Sequence, residues 1–266
     1  KAAARTSPAR LTLLVFTAMI LLFTMILELP ISSADGTRTP FVDALFTAVS
    51  AVCVTGLVTV ETGTHWSVFG LTVIMVAMKV GGLGVLTLAS LLGLSVMRHM
   101  GLAQRIVTAR ETKTEQLSEV GGILRTIVIT STGLEVVTFL LLMPFLLDND
   151  LAPREAVFNS VFYAISAFNN AGFVPEAAGT LQYVGDPRFS IPVALAVFIG
   201  SLGFPVILVL VQKWRTPSRW SLHANLTIWT SLILLVGGAV SVAILEWTNP
   251  NTLGSETLPT KFLASL

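Results

Sequence analysis

Five long apolar segments dominate the sequence, and each is long enough to cross a lipid bilayer as a helix. They cover residues 11–29, 68–96, 121–147, 189–211 and 222–245. A helix needs roughly 20 apolar residues to span the hydrocarbon core of a membrane. Only 12% of the residues are charged, about half the share that is typical of soluble domains. The sequence therefore predicts an all-α integral membrane protein.

Two shorter apolar segments lie between these spans. They are FVDALFTAVSAVCVTGL at 41–57 and REAVFNSVFYAISAFNNAGF at 154–173. The apolar part of the first would form only ~16 Å of helix, about half of the hydrocarbon thickness. We expect each segment to enter the membrane as a re-entrant half-helix and to turn back at its glycine. The alternative is a helix that lies flat in the membrane interface.

The distribution of basic residues predicts the orientation of the chain. Lys and Arg concentrate before the first span, in the loop 98–125 and in the link 212–221, whereas most acidic residues lie in the other connections. Basic residues accumulate on the cytoplasmic side of membrane proteins. The sequence thus predicts a multi-pass protein of the cell membrane with a cytoplasmic N-terminus. Both short segments would enter from the outer side and return to it.

The two short segments belong to an internal repeat. FTAVSAVCVTGL at 46–57 aligns with FYAISAFNNAGF at 162–173 with an offset of 116. Downstream, VGGLGV at 80–85 aligns with IGSLGF at 199–204 with an offset of 119. Polar serines and glycines coincide as well as apolar residues. A unit of span, half-helix, glycine turn and span therefore occurs twice in the same orientation.

The repeat divides the chain into five parts. The segment LPTKFLASL at 258–266 resembles the start of the half-helix FVDALF, so a third unit begins near the end of the sequence. We therefore expect the sequence to be a piece of a longer protein. The parts are a cytoplasmic N-terminal segment at 1–10, a first repeat at 11–97, a cytoplasmic loop at 98–120, a second repeat at 121–211, and the beginning of a third repeat at 212–266.

A glycine turn at membrane depth favours a cation path. Non-helical backbone is tolerated there only where it is buried in protein or lines a watery cavity. Its carbonyl oxygens can then replace the water shell of a cation, and the C-terminal end of a half-helix adds partial negative charge. The hydroxyl of Thr55 can contribute, while the amides of Asn169 and Asn170 can brace the loop from behind.

Several motifs resemble the Trk/Ktr/HKT superfamily of potassium transporters, with the Ktr-type membrane subunit most similar. These motifs are VCVTGL, FNNAGF with its preceding SA, GGLG and GSLGFP. The resemblance implies four repeats arranged pseudo-fourfold around one pore, a potassium-channel-like architecture that is incomplete in this chain. It implies potassium uptake through a carbonyl-lined selectivity filter, with the potassium ion as substrate and no other cofactor. It also implies a homodimer and a cytoplasmic nucleotide-binding regulatory subunit. The basic loop 98–125 would face that subunit; alternatively, its charge only reflects the excess of basic residues on the cytoplasmic side.

The resemblance also implies the residues of the filter. A potassium ion would be bound by the backbone carbonyls of six residues: Val54, Thr55, Gly56, Asn170, Ala171 and Gly172. Four further residues would support the filter: Cys53, Asn169, Ser50 and Ser166. The chain departs from the family at Lys79, where an uncharged residue is more common.

Lys79 and Glu135 are the two charged residues inside predicted spans and away from their ends. Such groups are costly in a membrane and are usually paired or exposed to water. We predict that they form an intramembrane pair, although Lys79 could instead extend toward the membrane surface while Glu135 makes a separate hydrogen bond.

The sequence is also compatible with other functions. The alternatives are a non-conducting membrane scaffold, an intramembrane enzyme, or a sodium-permeable or sodium-coupled relative. The enzyme is disfavoured because the sequence has no Ser/His/Asp constellation and no paired carboxylates within one span. No nucleic-acid partner is expected.

Overall fold

The computed structural model describes residues 8–99, 116–149, 151–213, 215–216, 220–250, 252–255 and 257–265. Most of the predicted N-terminal segment and of the loop 98–120 lies outside this part of the chain. The described residues form α-helices without a β-strand. The helices are α1 (Pro8–Leu27), α2 (Phe41–Val52), α3 (Thr62–His65), α4 (Val68–His99), α5 (Gln116–Asp148), α6 (Pro153–Phe168), α7 (Pro187–Ser201), α8 (Phe204–Lys213), α9 (Leu222–Glu246) and α10 (Leu258–Ser265).

Two described helical stretches are each long and apolar enough to cross a membrane. They are Arg125–Asp148 and Leu222–Glu246, and the pair α7 and α8 forms a third candidate if it is counted as one span. The other apolar helices, including the described apolar part of α4 at Val68–Gly84, are shorter. Together with the apolar composition, these helices fit the predicted all-α membrane protein.

The predicted span at 189–211 is not one straight helix. α7 and α8 meet at an angle of 110°. Gly203 has a φ of 77°, a left-handed conformation that commonly ends helices. Pro205 follows as the second residue of α8, where its missing N–H leaves no helical hydrogen bond unmade. The hydropathy of this segment predicts its apolar character but not its bend.

The two short helices α2 and α6 each pack between longer helices. α2 contacts α1 and α4, whereas α6 contacts α5 and α7. Ala44, Ala48 and Ala51 are completely buried, and their spacing places them on one face of α2. Small side chains on that face let the neighbouring helices approach closely. Both helices are therefore covered by protein on their packed faces.

The second repeat is anchored in the core of the first. That core combines residues of α1, α2 and α4 with three residues of the second repeat, namely Phe162, Ala171 and Phe173. All three are at most 2% exposed. Because Ala171 and Phe173 flank Gly172, the core fixes the loop after α6 on both sides of its glycine.

Candidate functional site

The helix α2 ends in a specific hydrogen-bonded turn. The backbone N–H of Thr55 donates to the carbonyl of Ser50 at 2.8 Å, and the N–H of Val54 donates to the carbonyl of Ala51 at 3.2 Å. This pair of bonds is a Schellman motif, which requires a left-handed residue directly after the helix. Val54 is that residue, with a φ of 55°.

The helix α6 ends in the same turn. The N–H of Ala171 donates to the carbonyl of Ser166 at 2.8 Å, and that of Asn170 donates to the carbonyl of Ala167 at 3.0 Å. Asn170 has a φ of 58°. Each of these positions lies 116 residues after its counterpart in the first loop. The two helix ends therefore share their hydrogen bonds as well as their sequence pattern.

Left-handed residues alternate in both loops. Gly56 and Gly172 have φ values of 76° and 74°, two residues after Val54 and Asn170, and the residues between them are not left-handed. Asparagine tolerates the left-handed region, but a β-branched residue such as Val54 rarely adopts it. Among the described residues, Val54 and Asn170 are the only non-glycines in this conformation.

The two loops meet at their glycines. A Cβ atom added to Gly56 would overlap the carbonyl oxygen of Ala171 and lie 3.2 Å from the Cα of Gly172. A Cβ added to Gly172 would lie 3.8 Å from the Cα of Gly56. The backbones therefore touch directly, and Gly56 has no room for a side chain.

Glycines on the helices that follow the two loops pack directly against the backbone at the ends of α2 and α6. A Cβ at Gly81 of α4 would overlap the carbonyl oxygen of Val52, and one at Gly200 of α7 would overlap that of Phe168. Val52 and Phe168 are the last residues of α2 and α6. Small residues commonly allow such close packing between membrane helices, and here it occurs at both GGLG and GSLG.

The predicted supporting residues differ between the two loops. Ser166 Oγ donates to the carbonyl of Phe173 at 2.8 Å, whereas the buried hydroxyl of Ser50 has no partner among the described residues. Cys53, the third of these residues, is exposed. Asn169 caps α6, and its Nδ2 donates to the carbonyl of Ile165 at 2.8 Å.

Lys79 and Glu135 are brought together by α4 and α5. Lys79 Nζ lies 2.6 Å from Glu135 Oε2 and 2.7 Å from Oε1. It also donates to Ser131 Oγ at 3.1 Å. Asn169 Nδ2 donates to Glu135 Oε1 at 3.1 Å, so the pair reaches the second loop. The contact between Lys79 and Ser131 was not predicted, although the position of Ser131 four residues before Glu135 places both on one helix face.

A cavity of about 320 Å³ lies beside the ends of α2 and α6. The C-terminal ends of these helices carry partial negative charge, which favours a cation there. No group of three or more His, Cys, Asp or Glu residues in the described ranges could hold a metal ion. The cavity is lined by Cys53, Val54, Gly82, Phe168, Asn169, Gly200, Ser201 and Gly203.

Glu176 organises the segment that follows the second loop. Its carboxylate accepts hydrogen bonds from Asn159 Nδ2 at 2.9 Å, Gln182 Nε2 at 2.5 Å and the Tyr183 hydroxyl at 2.8 Å. Burial raises the pKa of Glu176 above its ordinary value, although these donors oppose the shift. Burial also raises the pKa of Tyr183, with the carboxylate of Glu176 adding to the effect. Glu176 lies in one of the acidic connections that were predicted to face the outer side, and no role in a site was predicted for it.

These features define a class: an all-helical membrane protein in which two short helices end in matching glycine loops. The chain belongs to the TrkH family of cation transport proteins, whose family model matches residues 5–253. The membership agrees with the resemblance deduced from the loop motifs.

Curated relatives cover almost the whole chain. It is 35% identical over 261 residues to the Ktr system potassium uptake protein B of Bacillus subtilis, covering 98% of this chain and 58% of the relative. It is 33% identical over 257 residues to the protein of the same name from Vibrio alginolyticus, covering 96% and 56%. A match of 31% over 242 residues to the potassium/sodium uptake protein NtpJ of Enterococcus hirae covers 91% and 53%. The chain thus spans slightly more than half the length of these relatives.

Proposed function

We propose that the two loops are adjacent quarters of a potassium filter, and that the full-length protein takes up potassium across the cell membrane. The observation that carries this proposal is the duplicated backbone turn, with two left-handed residues in each loop and direct contact at the glycines. The proposed ligands are the backbone carbonyls of residues 54–56 and 170–172. Potassium is the substrate, and the proposal includes no cofactor.

The chemistry of the loops suits a large monovalent cation. The segments CVTGLV at 53–58 and NNAGFV at 169–174 contain no charged residue. Calcium and magnesium sites in proteins usually include carboxylates, whereas potassium filters use neutral carbonyl oxygens. The negative ends of α2 and α6 beside the cavity add attraction for a cation without binding it tightly. Tight binding would slow release, so a weak, multi-site path favours transport.

The wider architecture belongs to the same proposal. Four such repeats would surround one pore, with the two described loops contributing half of its ring. The N-terminus would be cytoplasmic, and the protein would work as a homodimer with a cytoplasmic nucleotide-binding subunit. The naming of two relatives as parts of a Ktr system supports a multi-component assembly.

Sodium is the second candidate substrate. One relative is named a potassium/sodium uptake protein, so permeation or coupling of sodium fits the family. The scaffold alternative is disfavoured because a cavity of about 320 Å³ borders both loops, whereas a scaffold would favour a tightly packed, dry contact.

Rubidium uptake by a potassium-uptake-deficient host would test the proposal. Gly56→Ala in the full-length protein should abolish uptake, because its methyl group would overlap the backbone of Ala171. Gly36→Ala is a matched control: Gly36 also has a left-handed φ, of 72°, but a Cβ there meets nothing within 4 Å. Both variants carry the ~1–2 kcal/mol cost of a left-handed alanine. Wild-type uptake by the Gly56 variant, at equal amounts in the membrane, would contradict the proposed filter.

A further inference from the structure

We propose that Glu135 is a positioning residue for the second filter loop, acting through Asn169, and that Lys79 holds its carboxylate in place. The inference rests on the proposed function and adds a determinant of ion selectivity outside the filter itself. Its basis is a polar network that connects α4 and α5 to Asn169, the C-cap residue of α6.

Asn169 is placed where a small displacement would move the filter. It is the capping residue of α6 and directly precedes the left-handed Asn170. Its Nδ2 group donates both to its own helix, at the carbonyl of Ile165, and to Glu135 Oε1 at 3.1 Å. The bond to Glu135 therefore ties the start of the loop to a neighbouring helix.

Gly82 and Glu135 form a clamp around the side-chain amide of Asn169, with Gly82 on the side opposite Glu135. A Cβ at Gly82 would overlap Asn169 Oδ1, and this oxygen is buried without a hydrogen-bond partner in the described part of the chain. The amide is thus enclosed between α4, which supplies Gly82, and α5, which supplies Glu135. With the oxygen facing α4, the donor group faces the carboxylate.

Lys79 determines both the geometry and the charge of this network. Its ammonium contacts both oxygens of Glu135 and the hydroxyl of Ser131. The carboxylate is thereby held in one orientation, with one oxygen directed at Asn169. The pair also carries no net charge, so the second loop lies beside a neutral group rather than an isolated anion.

Among the described residues, the first loop has no equivalent clamp. Cys53 occupies the position that corresponds to Asn169, and its side chain is exposed. Glu135 therefore positions one of the two described loops only. Changes to the network should alter the selectivity of the filter rather than merely the amount of folded protein.

Two double variants of the full-length protein separate the hydrogen bond from the charges. Lys79→Met with Glu135→Gln removes both charges but keeps a side-chain oxygen that can accept from Asn169. Lys79→Met with Glu135→Leu is equally neutral but has no acceptor. We expect the leucine variant to raise the half-saturation concentration for rubidium roughly fivefold, as for one lost hydrogen bond, and to become more sensitive to inhibition by sodium. The glutamine variant should stay close to wild type in both measurements.

The exposed ion pair between Arg188 and Asp148 provides a matched control. Their nitrogen and oxygen lie 2.9 Å apart, with side chains that are 55% and 65% exposed. Exposed pairs contribute little, so Arg188→Met with Asp148→Asn should leave the rubidium half-saturation and the sodium inhibition unchanged.

The outcomes distinguish this inference from the function on which it rests. No rubidium uptake by the wild-type protein would overturn both. Uptake by wild type, with the same half-saturation and sodium inhibition in the leucine variant, would overturn the positioning role alone, as would equal shifts in the glutamine and leucine variants. If the leucine variant is missing from the membrane, Gly82→Ala takes its place, because its methyl group displaces the Asn169 amide without changing a charge. A wild-type half-saturation in that variant would then overturn the positioning role.

Discussion

Removing one partner of the Lys79–Glu135 pair should destabilise the protein far more than removing both. In Lys79→Met, Glu135 keeps a carboxylate whose side chain is only 7% exposed, with Ser131 and Asn169 as its nearby polar groups. Breaking a buried ion pair in this way typically costs about 3–5 kcal/mol. In Glu135→Gln, the remaining Lys79 is 20% exposed and can extend its ammonium toward water. We expect a smaller loss there, of about 1–3 kcal/mol.

The double variant should recover most of this stability. Methionine and glutamine are close in size to the residues that they replace, and buried ion pairs can often be exchanged for neutral residues of similar volume at little cost. We expect Lys79→Met with Glu135→Gln to lie within about 1 kcal/mol of wild type. The effects of the single variants would then be non-additive, as is typical of residues in direct contact.

Thermal unfolding of the purified full-length protein in detergent would measure these differences, with the amount of protein in the membrane as a second readout. The expected order of stability is wild type, the double variant, Glu135→Gln and then Lys79→Met. The reasoning would be refuted if the double variant were as unstable as the sum of the single variants, or if Glu135→Gln were the less stable of the two.

Two further predictions concern Val54 and Glu176. Val54→Asn should raise the free energy of unfolding by about 1 kcal/mol, because asparagine tolerates the left-handed conformation better than a β-branched residue. Thermal unfolding would measure this difference, and Val54→Thr should show no gain in stability. A loss of stability in the asparagine variant would contradict the strain assigned to Val54. Because burial raises the pKa of Glu176, its contribution to stability is fully present below the ordinary pKa of a glutamate and is lost as the pH rises through the elevated value. Unfolding temperatures measured from pH 4 to 8 should therefore fall less steeply for Glu176→Gln than for wild type, and identical pH profiles would exclude this contribution.

Much of the architecture was predictable from the periodicity of the sequence and its repeat. α2 at Phe41–Val52 lies within the first short segment that was expected to form a half-helix, and α6 at Pro153–Phe168 begins one residue before the second. The alignment offset also identified the paired glycines Gly56 and Gly172, whose left-handed φ suits glycine. These features depend on local residue types, which a single sequence displays directly. The left-handed conformation of Val54 and Asn170 was not predicted.

The bend at Gly203 and the contacts that link the predicted Lys79–Glu135 pair to Asn169 and Ser131 were not predictable in the same way. A hydropathy profile sums apolar character and is insensitive to direction, so a broken helix and a straight helix give the same signal. The run GFP at 203–205 is a local indication of a break. The contact between Glu135 and Asn169 joins residues that are 34 positions apart, and the identity of such partners depends on how the helices pack. The difference between Ser50 and Ser166 is of the same kind, because the two serines occupy matching positions in the sequence.

The two loops adopt the same type of backbone turn but have different sequences, CVTGL at 53–57 and NNAGF at 169–173. In an assembly of identical subunits, a single codon change would appear in every copy of such a loop at once. Here each loop has its own codons, so mutation can change one loop while its neighbour keeps its own residues. An internal repeat within one chain thus allows gradual change in a structure that symmetry would otherwise force to change in multiples.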